Sequence, residues 1–434
     1  MRTVGEKGSA LLATLCITVV LGISLASYLT VCYRTLEMSS RALRSGHSVT
    51  LAENGMEEAL WALNNNTWTG WTLNGTTASR TFTGFTFDNG VTGQISVTVL
   101  SYNGGAGVRT ITATGTLTAS NGTTSSRTLT SSSAQAPLLV NAIAGTTGNV
   151  SFSSGGTIDS YDSSLGTYAS QTPGYSAIVA SGATATTSAT VQLTNAQIKG
   201  YVASTFSSGP SVSTGALVKG PTTPGTVKID PDRISTSPYQ PVFNIKSVTG
   251  TGTVLSNPVT DSTTTIGSPS DTSPAIYYST GLNMIGTTKI IVNGPVRLAV
   301  TGAFYVGLYG GTPSIEVTAN GSLEIVSNGD IAIYGGGINN LTNDPKRVAI
   351  LSTNTLTAPD MNTTVPLYGV IYTPTGQFNL LGNSTVYGAV VAKKVVFSGT
   401  APAVHYDTQL RNVVLSGIET PFAVSSWRES TYAE

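Results

Sequence analysis

The chain is poor in the groups that carry most protein chemistry. Its 434 residues include two cysteines, Cys16 and Cys32, and two histidines, His47 and His405. Two cysteines cannot staple a chain of this length. Two histidines leave little for metal binding or acid–base work, and no cofactor or metal is expected. No CxxC, HExxH or GxxxxGK[ST] motif occurs. Charged side chains make up 10% of the chain, against roughly a quarter in an ordinary soluble domain. The 21 basic and 21 acidic residues cancel, so the footprint of a nucleic-acid binder is missing. A mean hydropathy of +0.13, with Val, Ile and Leu throughout, excludes charge-driven disorder.

What is abundant is glycine, at 48 residues, together with Ser, Thr and one long apolar run. From Gly8 to Tyr33 there is no charge, and Ser9–Tyr33 is apolar or hydroxylated. As a helix this run is about 37 Å long, enough to cross a bilayer core of roughly 30 Å. A signal peptide has a shorter apolar core and a small-residue cleavage site after it; here Arg34 and Glu37 follow. The run therefore reads as a retained membrane helix. Arg2 and Lys7 place the N-terminus in the cytoplasm by the positive-inside rule. Residues 34–63 contain no proline and carry Leu36, Leu43, Val49, Met56, Leu60 and Leu63 at helical spacing. One helix over 9–63 is expected, ending at Asn64-Asn65-Asn66. The cysteines, 16 apart on it, are too distant to pair.

Order and distance of these features resemble a type IV prepilin: a basic leader ending in Lys7-Gly8, an apolar helix, then Leu51-Ala52-Glu53-Asn54-Gly55-Met56-Glu57-Glu58-Ala59-Leu60. This last stretch is similar to the corresponding region of PilX-type minor pilins. The resemblance covers about the first 63 residues. It implies a leader of residues 1–8, cleavage by prepilin peptidase between Gly8 and Ser9, and N-methylation of Ser9. It also implies contact with other pilins or pseudopilins through the helix, with Ala13, Glu53, Gly55 and Glu57 as its assembly motif. Major pilins usually carry Glu where this chain has Ala13. That departure fits a minor, priming or tip subunit, as in the K-type pseudopilin of type II secretion, rather than a bulk filament subunit.

Residues 64–135 alternate apolar and hydroxylated positions, as in Thr81–Phe87, Gln94–Val99 and Arg109–Thr118, with turn signals at Asp88-Asn89-Gly90 and Asn121-Gly122. This predicts a small antiparallel sheet, and 131–137 a linker. From about Leu138 to Asn412 short apolar pieces alternate with Gly, Asn and Ser turns. Residues 205–288, with a proline-rich interval, read as an irregular insertion or as irregular coils, and 413–434 as a tail. Starts at Ser314, Ser322 and Asp330 are 8 apart, and Tyr368-Gly369-Val370-Ile371-Tyr372 recurs as Tyr387-Gly388-Ala389-Val390-Val391, 19 residues on. A β-sandwich also spaces strands 8–12 residues apart, but the unequal, recurrent period favours a β-solenoid. The segments Gly369–Pro374, Leu381–Asn383, Val386–Lys393, Val404–Asp407 and Ile158–Ser163 resemble an uncharacterised C-terminal domain often fused to PilX-type N-termini. The fold class is thus mainly β with one long N-terminal α-helix: a pilin-like transmembrane helix, a small β region, then a β-solenoid, or parallel β-helix.

β-Helices can host carbohydrate-active enzymes, which need paired carboxylates. The candidates are Asp159 with Asp162, Glu316 with Glu324, and Asp330 with Asp344. Glu316 and Glu324, 8 apart, are placed on adjacent stacked strands. Asp159 and Asp162 flank Tyr161 and read as turn-capping residues. His405 lacks a nucleophile elbow and reads as a cap at the solenoid's end; His47 reads as a polar-face helix residue. Trp61, Trp68 and Trp71 are expected to pack the small sheet on the helix. Tyr305, Tyr309, Tyr334, Tyr368, Tyr372 and Tyr387 are expected to stack along the solenoid. No enzyme activity is expected. The function read from the sequence is that of a minor pilin-like or pseudopilin-like subunit, anchored once in the bacterial inner membrane with its C-terminal region outside. It would present an adhesive solenoid to surface glycans or a host or neighbouring cell. A tethered adhesin outside any pilus and a surface carbohydrate-active enzyme are the alternatives.

Overall fold

A computed structural model describes residues 7–103, 107–184, 189–213, 215–247, 252–258, 260–355 and 359–430, with helix side chains from residue 11 onward. The chain forms two units, Met1–Ala136 with Pro421–Glu434, and Pro137–Thr420.

The first unit begins with helix α1 (Lys7–Asn65), continuous over 59 residues. Its first half is exposed: Leu11, Leu15, Ile23 and Leu29 are 58–77% accessible. Its second half buries Leu51, Ala52, Met56, Ala59 and Leu63, spaced i, i+4, i+8 on one face. That face lies on an antiparallel sheet of β1 (Thr72–Asn74), β2 (Thr77–Thr86), β3 (Thr92–Leu100), β4 (Arg109–Thr118) and β5 (Thr124–Gln135). Inward positions are Ile95, Val97, Val99, Ile111, Ala113 and Leu117, all buried. Outward positions are hydroxyls set in register, such as Ser96, Thr114 and Thr128. The β2–β3 turn holds Asn89 and Gly90 at φ 61° and 72°, and Gly122 turns β4 into β5 at φ 83°. These are left-handed values that Asn and Gly tolerate.

Residues 413–430, expected as part of a tail, are not one. Phe422–Ser430 is a strand that pairs antiparallel with β5, Phe422 opposite Gln135 and Ser430 opposite Thr128. The peptide N–H of Ala136 donates to Pro421 O at 3.0 Å. Residues 137–420 are therefore an insertion between two neighbouring strands of one sheet. Before that strand, Leu415 and Ile418 are buried and Ile418 bridges Ile245.

The second unit is the β-solenoid, with three columns of parallel strands. One column runs Ala275–Ser279, Pro295–Val300, Ser322–Ser327, Val348–Ser352, then Val370–Tyr372 and Ala389–Val391. A second contains Leu282–Gly286, Phe304–Gly311, Ile331–Gly335 and Asp360–Thr363. A third starts with Thr263–Ile266, Lys289–Val292, Ser314–Val317 and Ile338–Asn340. The 8-residue spacing is thus one side of a coil, Ser314 to Ser322, and not a full repeat. The 19-residue recurrence is a full coil, since Tyr368 pairs Tyr387 and Ile371 pairs Val390. Inward-facing Ile315, Leu323, Ile325, Ile333, Ile350 and Phe378 are buried in one continuous core.

The coil order is permuted relative to the chain. Residues 143–145 stack on Val390–Ala392, Val150–Phe152 on Val395–Phe397, and Thr157–Tyr161 on Ala403–Asp407. The chain enters the middle of the solenoid and builds coils outward, through Ala177–Ser181 and Ala196–Ser204 to Ile234–Ser235. It then crosses to the other end, starts again at Thr253–Val254, and climbs back to meet its own beginning. Residues 205–288, expected as an irregular insertion or irregular coils, therefore contain two different things. Leu217–Lys219 and Ile234–Ser235 finish one end, and the strands from Thr253 onward start the other. The described part of the crossing between them, residues 236–247, is irregular and is tied to the coils it passes. Asn141 Nδ2 donates to Tyr239 O at 2.7 Å, and Tyr372 Oη both donates to Phe243 O and accepts from Phe243 N at 2.8 Å.

Candidate functional site

Among the described residues a cluster of ionisable and aromatic side chains lies in the middle of the solenoid, where the last coils of the chain stack on its first. Along the third column the registered positions on successive coils are Tyr368, Tyr387, His405 and Asp159. Because strand neighbours are about 4.8 Å apart, flat side chains at registered positions stack face to face. Tyr368 and Tyr387 do so at 4.3 Å with 8° between planes. His405 continues the stack 4.8 Å from Tyr387, and Tyr168 lies against it at 4.0 Å. Tyr161 meets Tyr168 edge-on at 5.7 Å.

Asp159 is the next registered position after His405. Its Oδ1 is 2.6 Å from His405 Nδ1, and its Oδ2 accepts from Tyr168 Oη at 2.8 Å. Asp159 is 1% exposed and His405 8%. A carboxylate this buried must be paired or hydrogen-bonded, and here both oxygens are engaged. Asp407, also buried, accepts from the Ser163 and Gln409 backbone N–H groups at 3.0 and 3.1 Å. Asp162 accepts from the Ser164 hydroxyl and amide and from Gln409 Nε2. The Ser164 bond is the first reason its carboxyl lies below the usual range. Burial pushes the Tyr368 phenol up to about 12. Burial, then the bond to Asp159, pushes Tyr168 well above its ordinary value.

The chemistry available to this arrangement is limited. The Asp159 contact orients the imidazole, but tyrosine rings flank it. Among the described residues no group of three His, Cys, Asp or Glu side chains is placed to hold a metal. Every polar bond named above is either within one corner or across the joint between residues 139–171 and 397–411. Phe152 stacks on Phe397 at 4.3 Å across the same joint, and Tyr406 Oη donates to Leu139 O at 2.6 Å. The cluster works as a lock between two stretches of chain that are far apart in sequence.

Two expectations for this region change. His405 is not at the solenoid's end but in its middle. Asp159 is not a turn residue but the histidine's buried partner, whereas Asp162 does cap a turn. Tyr168 and Asp407 were not singled out by sequence. Asp407-Thr-Gln shares with Asp162-Ser-Ser and Asp344-Pro-Lys the pattern of an Asp accepting from the amide two residues on. That repeated corner is the signal that would have found Asp407.

The other acid pairs are separated. Glu316 pairs with Lys289 at 2.7 Å in the third column, and Glu324 with Arg297 at 2.9 Å in the first. Eight residues move the chain from one face to the next, so Glu316 and Glu324 do not stack. Asp330 accepts from Asn354 Nδ2 at 2.9 Å, while Asp344 caps a separate turn.

On the helix, Gly55 is buried against the sheet. A Cβ there would lie 2.6 Å from Ile95 Cγ2 and 2.8 Å from Val97 Cγ2. Gly115 on β4 is the matching small residue, since its Cβ would lie 2.1 Å from Ser48 O. Glu53, Glu57 and Ala13 are exposed. Gly8 and Ser9 lie in the first turns of α1, with side chains outside the described residues; leader residues 1–6 also lie outside them. His47 packs on Phe87 at 5.1 Å. Trp68 contacts Trp71 and Tyr102 edge-on, and Trp61 is exposed.

No curated protein matches the chain. The crystal structure of the competence-associated pilin ComZ from Thermus thermophilus is similar at 11% identity, over 89% of this chain and 97% of that one, with a TM-score of 0.28. At that score the likeness carries no argument. Residues 244–413 match a family described as a domain of unknown function, DUF7305, a span that covers the coils climbing to the joint and stops just past His405.

Proposed function

We propose that this chain is a minor pilin-like or pseudopilin-like subunit that carries a β-solenoid as an insertion in its small sheet. The observation that carries this reading is the division of α1. Its uncharged apolar half is exposed, with Leu11, Leu15, Ile23 and Leu29 unburied, whereas Leu51–Leu63 packs on the sheet. Fully burying one Leu or Ile side chain is worth about 1.5–3 kcal/mol. A run of such side chains needs a bilayer first and other apolar helices afterwards. One helix that offers both, joined to a packed lower half, suits a subunit stored in a membrane and drawn into a filament. The Lys7-Gly8 leader supports processing by prepilin peptidase and methylation at Ser9. The absence of a carboxylate at Ala13 supports a priming or tip position.

In this reading the solenoid is the outward-facing, adhesive part, and the protein has no enzyme activity. Its tyrosine column spends its ring faces on neighbouring rings, and the carboxylates singled out above are each engaged by backbone amides, side-chain donors or basic groups. The test is the N-terminal peptide mass of the native protein in membrane and sheared surface fractions. A methylated Ser9 terminus in the sheared fraction is expected. An intact Met1 terminus confined to membranes would leave a tethered solenoid instead, as would a Gly8→Val protein that reaches the surface normally.

A further inference from the structure

Just beyond the apolar run, α1 and the β4–β5 turn enclose a groove of about 1140 Å³. Tyr33 and Leu36 are the large apolar side chains in its lining, which is otherwise polar apart from Gly122. Three guanidinium groups line it, Arg41, Arg44 and Arg127, against one carboxylate, Glu37. Glu37 is engaged by Arg41 at 2.8 Å. Arg127 donates to Ser45 Oγ at 2.8 Å and has Glu429 at 3.7 Å. Among the described residues Arg44 bonds only neutral oxygens, Ser40 O at 3.3 Å and Thr123 Oγ1 at 3.0 Å. The remaining lining is hydroxyl and amide: Thr123, Ser125 and Asn121 among others.

Position and direction make this more than a basic patch. Arg41 follows Tyr33 by eight residues, about 12 Å along the axis. Helical side chains tilt toward the N-terminus, here toward the apolar run, and Arg41 does reach back one turn to Glu37. The headgroup layer of a leaflet is about 5–8 Å thick. With the top of the hydrocarbon taken at Leu36, Arg41 and Arg44 stand about 8 and 12 Å above it along the axis, and side chains that reach back to Glu37 and to Ser40 O bring both guanidinium groups toward the headgroup layer.

We propose that this groove seats the headgroup of an anionic phospholipid, with the phosphate held by Arg41 and Arg44 and the glycerol end against Tyr33 and Leu36. Guanidinium groups hold phosphate oxygens two at a time, and the hydroxyls take the headgroup's own. This rests on the reading of α1 as a membrane span. Bound lipid would fix the height at which the subunit sits before it leaves the bilayer.

The test uses the full chain in detergent micelles, studied by native mass spectrometry with added dioleoyl phosphatidylglycerol or phosphatidylcholine. Phosphatidylglycerol should be retained in preference to phosphatidylcholine. Arg41→Gln/Arg44→Gln should lose roughly thirtyfold of that preference, from about 1 kcal/mol for each basic residue near an anionic surface. Arg41→Lys/Arg44→Lys, which keeps both charges but not the paired guanidinium bonds, should fall between wild type and the double-Gln variant, and all three proteins should melt alike. Equal retention of the two lipids, or a double-Gln variant that prefers phosphatidylglycerol unchanged, overturns the proposal. So does a groove cross-linked to a protein neighbour and not to lipid in native membranes. The underlying reading fails differently: the chain would then wash off membranes in carbonate.

Discussion

His405 Nδ1 and Asp159 Oδ1 are 2.6 Å apart across 246 positions of sequence. The contact joins the last coil laid down by the chain to the first. It is the polar centre of a joint whose apolar part is Phe152 on Phe397 and whose backbone part is three sets of parallel pairings. The solenoid is continuous in space although the chain that makes it is not.

Removing His405 leaves Asp159 with only its bond from Tyr168. His405→Ala should therefore destabilise the solenoid by about 1–3 kcal/mol. Asp159→Asn, which keeps the shape and can still accept from Tyr168, should cost less. The urea midpoint of each variant checks this, and equal midpoints for wild type and His405→Ala would show the pair to be inert.

The joint should also be separable. A chain broken at Ser237, in the crossing, should reassemble from its two parts. The segment matched by the family, 244–413, made alone should self-associate, because the edge formed by Val390–Ala392 and Val395–Phe397 loses its partner strands. Size-exclusion chromatography with and without the 137–236 part distinguishes the outcomes. A monodisperse 244–413 monomer would contradict the permuted order.

Helix–sheet packing predicts an asymmetry between two glycines. Gly115→Ala drives a Cβ into the Ser48 carbonyl with nothing gained, and should cost about 2 kcal/mol or more. Gly55→Ala meets only side-chain methyls and gains about 1 kcal/mol of helix propensity. Its melting point should fall less. The reverse order would mean that the helix does not rest on β4 as described.

High pH should unfold the solenoid. Burial pushes the Tyr368, Tyr372 and Tyr406 phenols up to about 12, against about 10 in an unfolded chain. Between these values the unfolded chain has released protons that the folded one retains, so stability falls as pH rises from about 10 to 12. Thermal melts across that window, with tyrosinate absorbance followed alongside, should show it. Tyr372→Phe should flatten the loss but also forfeit the two bonds to Phe243.

The C-terminal strand predicts that truncation after Thr420 weakens the small sheet and not only the tail. Without Phe422–Ser430, β5 becomes an unpaired edge carrying Leu129 and a row of hydroxyls. Proteolysis should then cut near residues 124–135 in the truncated protein and spare them in the full chain.

Much of this was legible in the residues themselves. The uncharged run from Gly8 to Tyr33 and the helical spacing of Met56, Leu60 and Leu63 read as one helix, because burial on one face imposes its period locally. The alternation in β4 and the Asp88-Asn89-Gly90 turn gave the hairpins for the same reason. The 19-residue recurrence gave the coil, since stacking demands like residues at like positions. What no local pattern carried was which coil lies on which. That Asp159 meets His405, that Phe422–Ser430 pairs with β5, and that Glu316 and Glu324 face different sides depend on contacts between distant segments. Parallel strands pair by shape and hydrogen bonding without a sequence code for their partner. Hence composition and period determined the helix and the solenoid, and only the tertiary structure decided that the solenoid begins in its own middle.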